Sequence, residues 1–123
     1  MRLKIFLFIF VLTTINSCNS DTKKQMTTKR FKESDNTAVF TTKFVIIDKK
    51  DITRVTHDKE DGAWQFFSND HFENFEDVAK IVGLGQMIKI DSSILELADM
   101  KEGYVAHRNS KSDKWEIEED KKP

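Results

Sequence analysis

The chain has a single cysteine, Cys18, so no disulfide can form within it. Its only proline, Pro123, closes the sequence, which leaves few rigid loops. No apolar run is long enough to span a bilayer. Ile5 to Leu12 is unbroken by a polar residue, but a spanning helix needs about 20 apolar residues. A basic excess is also missing, and nucleic-acid binding usually demands a basic face. Gly83 and Gly85 lack the spacing and partners of a phosphate-binding loop and read as turn residues. There is no serine nucleophile elbow, no catalytic cysteine and no carboxylate pair in apolar surroundings. No internal repeat is visible.

What is present begins with Arg2 and Lys4, then the apolar run, then Thr13-Thr14-Ile15-Asn16-Ser17-Cys18. A basic start, a short apolar stretch and small residues before a break make a secretory signal over 1–17. Ile15-Asn16-Ser17-Cys18 is similar to a bacterial lipobox, with Asn16 fitting its looser versions. Lipidation of Cys18 accounts for a lone cysteine in an exported chain. The expected product is an exported lipoprotein, anchored in the membrane on the periplasmic or outer-membrane side. Removing Arg2 and Lys4 from 20 basic residues leaves 18 against 21 acidic ones, a formal charge of −3. Residues 18–36 are polar, with few apolar side chains, and read as a flexible tether next to the lipid.

One small domain is expected over 37–118. Ala38 to Ile47 is rich in β-branched and aromatic residues and should contain a strand; its second half fits a helical turn equally well. Ile52–Thr56 and Ala63–Ser68 read as the second and third strands, joined by a charged turn that ends in Gly62. Trp64 and Phe66 share one face of the third strand, and Gln65 and Phe67 the other. Phe72, Phe75, Val78 and Ala79 recur at helical spacing, with Ser68-Asn69-Asp70 as a capping region. Ile81 to Gly85 reads as an apolar link. Leu84, Met87 and Ile88 indicate a second short helix, and Asp91-Ser92-Ser93 starts a third. Tyr104–Arg108 and Lys114–Ile117 form a closing hairpin, and 119–123 is an expected frayed tail. The fold class is therefore α+β, with a mostly antiparallel sheet. Two or three short helices are inserted between the third strand and the C-terminal hairpin.

The candidate binding residues cluster at the charged turn: His57, Asp58 and Asp61. Arg108 is expected to approach Asp58 or Asp61 if its strand pairs near the third. A structural ion pair and a partner-binding hot spot are both open for it. Trp64 and Trp115 are read as core first and as ligand platforms second. The spacing of His57, His71 and His107 matches no metal-ligand motif, so no metal and no cofactor are expected. No catalytic residue is assigned. A hydrolase using His57 or His107 is the weakest of the functional alternatives.

Several short stretches recur together in one family. They are His57-Asp58, Asp61-Gly62-Ala63-Trp64-Gln65-Phe66, the Ile81–Leu84 link, Ile90-Asp91-Ser92-Ser93-Ile94, Gly103-Tyr104, Ala106-His107-Arg108 and Trp115. In this order they resemble the immunity-protein 33 family, over roughly Ala38 to Ile117. The resemblance implies a small α+β protein that binds and neutralises a toxin, and it brings no catalytic residues. Relatives often carry an acidic residue where this chain has Ala63, a proline where it has Ser92 and a tryptophan where it has His107. Those departures imply a different partner if these positions touch one. The expectation is a non-enzymatic, lipid-anchored envelope protein that binds a protein partner, such as a toxin, with no nucleic acid involved. An accessory or structural lipoprotein is the alternative.

Overall fold

β-Branched and aromatic residues at alternating positions build the sheet. The computed structural model describes residues 28–121. The expected signal segment, Cys18 and the start of the expected tether lie outside them. Strand β1, Ala38–Thr42, turns Val39 and Thr41 to one face, where both are fully buried, and Phe40 to the other. The chain then winds into one helical turn, α1, Lys43–Ile46. The two alternatives left open for this stretch are thus both realised, one after the other. β2 is Arg54–His57 and β3 is Trp64–Phe67.

The middle of the chain departs from expectation. Only Phe75–Val78, α2, is helical, and it runs straight into a strand, β4, Ala79–Gly83. The stretch read as an apolar link is therefore the fourth strand. It pairs with β1 along its whole length, with Phe40 opposite Ile81 and Val39 opposite Val82. The helical spacing of Phe72 and Phe75 had a different cause. Both rings pack against Phe67, at 6.2 and 5.7 Å, and Phe75 also meets Phe40 at 6.3 Å. They cap the second face of the sheet, not a helix groove.

α3, Leu84–Ile90, leads to a 3₁₀ helix, Ser92–Leu97. Asp91 starts it as expected: its Oδ1 accepts from Ser93 N at 3.0 Å and from Ser93 Oγ at 2.6 Å. β5, Tyr104–His107, and β6, Glu116–Glu119, close the chain. The six strands lie in the order β4-β1-β3-β2-β5-β6. Only β1 and β3 run parallel; every other neighbouring pair is antiparallel. The protein is a small α+β domain.

The core lies between one sheet face and the helices. Val39, Val55, Phe66 and Ala106 supply the sheet side, and Val45, Leu84, Met87, Ile94 and Leu97 the helical side. Phe31 joins them, and its ring meets the edge of Trp64 at 4.9 Å. Residues 29–35, expected to belong to a tether, are therefore part of the folded domain. Lys29 pairs with Asp99 at 3.1 Å, and the Asp35 carbonyl accepts from Gly85 N at 2.9 Å. The tail also pairs further than expected, since Glu119 belongs to β6 and Asp120 N donates to the Gly103 carbonyl at 2.8 Å.

Candidate partner-binding site

The turn after β2 is held by its own acids. Asp58 N donates to the Ala63 carbonyl at 2.8 Å, closing the hairpin. Asp58 Oδ1 accepts from Glu60 N at 2.7 Å, and Asp61 Oδ1 from Ala63 N at 2.9 Å. Both are the local side-chain bonds that favour Asp in turns. Gly62 takes a φ of +72°. A Cβ there would meet only the end of the flexible Glu102 side chain, at 2.9 Å, so it is the positive φ that favours glycine.

Two more segments dock on this turn. Gly103 N donates to the His57 carbonyl at 2.7 Å, and the Gly103 carbonyl receives Asp120 N. His57 faces Tyr104 across the β2–β5 ladder, and Tyr104 faces Glu119 across β5–β6. One end of the sheet thus gathers Asp58, Glu60, Asp61, Glu102, Glu119 and Asp120. The same three segments bring Lys59, Lys101 and Lys121, six carboxylates against three ammonium groups. Between the turn and the Gly103–Asp120 contact lies a cleft of about 320 Å³.

His57 is placed at this end but does not reach its surface. The residue is 6 % exposed, and its ring stacks on Trp64 at 3.8 Å. Nδ1 lies 2.8 Å from the Met100 carbonyl, which can only accept, so Nδ1 carries the proton. Nε2 is buried and has no hydrogen-bond partner among the described residues. Of the expected contact residues, Asp58 and Asp61 therefore stand at the rim, and His57 is a post beneath it.

Arg108 is elsewhere. Strand β5 runs away from the acidic turn, with His107 opposite Arg54 at the far end of β2. Arg108 NH2 meets Asp91 Oδ2 at 2.6 Å, with the two side chains 1 % and 4 % exposed. Nε donates to the Ile52 carbonyl at 3.0 Å, NH1 to Ser93 Oγ and the Lys111 carbonyl, and the guanidinium sits 3.9 Å over the Trp115 ring. The expected approach to Asp58 or Asp61 does not occur. The structural ion pair does, but with Asp91. No local signal in the sequence links Asp91 to Arg108, because the pairing depends on strand order.

Trp64 is core, as expected, but its Nε1 donates to Glu33 Oε2 at 3.1 Å. Glu33 and Phe31 were absorbed into the polar tether by composition. A lone aromatic in a polar stretch was the only trace of them. The other histidines are apart: His107 Nε2 meets Glu118 Oε2 at 3.0 Å, and His71 is exposed in the loop before α2. Among the described residues no three His, Cys, Asp or Glu side chains are grouped to hold a metal ion. Comparison with protein-family models, curated proteins and solved structures finds no match to this chain.

Proposed function

We propose that this is a lipid-anchored, non-enzymatic protein of the cell envelope that binds a protein partner, as an immunity-type inhibitor binds its toxin. The acidic end of the sheet is the observation that carries this reading. Three separate segments bring six carboxylates to one rim, tied together by main-chain hydrogen bonds. Loops held on a rigid sheet are where binding residues concentrate. An excess of one charge steers a partner of the opposite charge and speeds encounter. The partner's contact surface is therefore basic. The lipobox-like Cys18 and the resemblance in the sequence support the location and the inhibitor role.

The test uses a secreted toxin encoded beside this gene. Co-expression of the full chain should protect the cell, and the two proteins should co-purify. Asp58→Asn, Glu60→Gln and Asp61→Asn together remove three charges while keeping the acceptor oxygens that hold the turn. That variant should fold as before and associate about tenfold more slowly at low salt. If the wild type neither protects nor co-purifies, the inhibitor reading fails. If the neutralised variant associates as fast as the wild type, the acidic rim is not the contact.

A further inference from the structure

We propose that the β4 edge pairs with the same edge of a second copy of this chain, antiparallel and centred on Ile81. Among the described residues the sheet ends in two strands, β4 and β6, each paired with a neighbouring strand on one side only. Free edges invite pairing unless charge, proline, a bulge or a covering segment blocks them. β6 is blocked by charge. Its sequence is Glu116-Ile117-Glu118-Glu119, and every residue is exposed. A second β6 centred on Ile117 would set Glu116 against Glu118, and like charges directly opposite repel.

β4 is less guarded: it has one charge, Lys80, against the three carboxylates of β6. Ala79-Lys80-Ile81-Val82-Gly83 holds one charge and no proline, and its register with β1 runs without a bulge over five residue pairs. It also ends an apolar stripe. Phe67, Phe75 and Phe40 touch in series on the second face of the sheet, and Ile81 is the residue opposite Phe40. There the stripe stops, with Ile81 65 % exposed, ahead of Ile47 at 59 % and Ile117 at 49 %.

The register follows from side-chain alternation and charge. For the two sheets to continue each other, paired residues must lie on the same face, so the two-fold axis passes through a residue. Centring on Lys80 would set ammonium against ammonium. Centring on Val82 would leave Ile81 opposite Gly83, which has no side chain to pack. Centring on Ile81 sets Ile81 against Ile81, Lys80 against Val82 and Ala79 against Gly83, with no like charges opposed. The aromatic stripe then runs on through both copies. The contact is self-complementary, as a two-fold dimer requires. Five paired residues bury less than the about 1,200 Å² of a standard stable interface. Confinement of both copies to one membrane raises their effective concentration and favours the pairing.

Site-directed thiol cross-linking tests this in membranes of cells making the full chain. Directly opposed strand residues have Cα atoms about 4.5–5.5 Å apart, within disulfide range. Ile81→Cys should therefore give a disulfide-linked dimer as the major species under mild oxidation. Ile117→Cys on the other edge, and the parent chain with Cys18 alone, should give at least tenfold less. Ile81 is largely exposed, so the substitution leaves the core intact. Ile81→Lys should abolish the dimer that an amine cross-linker traps in the wild type. Equal dimer from Ile81→Cys and Ile117→Cys, no dimer from either, or a disulfide to a different protein would overturn the proposal. Dimer from the parent chain at the level of Ile81→Cys would also overturn it, because Cys18 would then account for the disulfide.

Discussion

Arg108 is only 8 % exposed, yet every nitrogen of its guanidinium has an acceptor. A buried ion pair adds little to stability over an apolar pair of equal shape, but removing one partner strands the other charge. Arg108→Leu leaves the Asp91 carboxylate buried without a counter-charge. Urea unfolding should show a loss of about 3–5 kcal/mol. Adding Asp91→Leu should recover only part of this, because Asp91 also holds Ser93 at the start of the 3₁₀ helix. Full recovery would mean that the cap contributes nothing. Arg108 was expected near Asp58 or Asp61, as an ion-pair partner or as a partner-binding residue; it is instead buried in an ion pair with Asp91. Which acid lies near a strand end is set by strand order, and strand order leaves no trace in spacing.

Residues 29–35 and β4 show how an element can hide in composition. Seven residues with one aromatic do not read as part of a fold. Here Phe31 fills the space beside Trp64 and Glu33 takes the indole proton. The segment is in place because β3 leaves one edge of Trp64 to be covered. Phe31→Ala should cost about 3 kcal/mol of stability and shift Trp64 emission to the red. Unchanged unfolding and emission would show that 29–35 is not part of the folded unit. β4 was hidden for a similar reason. Its exposure runs half-buried, exposed, exposed, half-buried, half-buried, which carries no period of two. It is a strand because β1 offered an unpaired edge, and pairing satisfies the backbone groups of both. α3 was legible, because Leu84, Met87 and Ile88 recur at helical spacing, whereas the pattern over α1 did not decide between strand and helical turn.

At the scale of the molecule, the charged turn, Glu102 and the end of β6 come together only because β2 and β5 are neighbours. The same arrangement sends Arg108 to the opposite end and joins it to the 3₁₀ helix. The domain begins by about residue 29, so any anchor at Cys18 is joined to it by roughly ten residues. Fully extended, such a link reaches about 35 Å. The acidic rim would then meet its partner close to the bilayer. The anchor itself is checked by metabolic labelling. Labelled palmitate should enter the wild type and not Cys18→Ser, and the variant should leave the membrane fraction. Equal labelling of both would remove the anchor from the proposal.

The sequence alone determined what local chemistry can decide. β-Branched and aromatic residues placed β1, β2, β3 and β5, Gly62 marked the turn that needs a positive φ, and Asp91-Ser92-Ser93 marked a helix start. Together they were enough for an α+β domain with a mostly antiparallel sheet. Only the tertiary structure decided the parallel β1–β3 contact, the strand status of Ala79–Gly83, the burial of Phe31 and the partner of Arg108. Each of these joins residues distant in sequence. Their free energy comes from burial and from backbone pairing between segments, and neither is encoded in any one stretch.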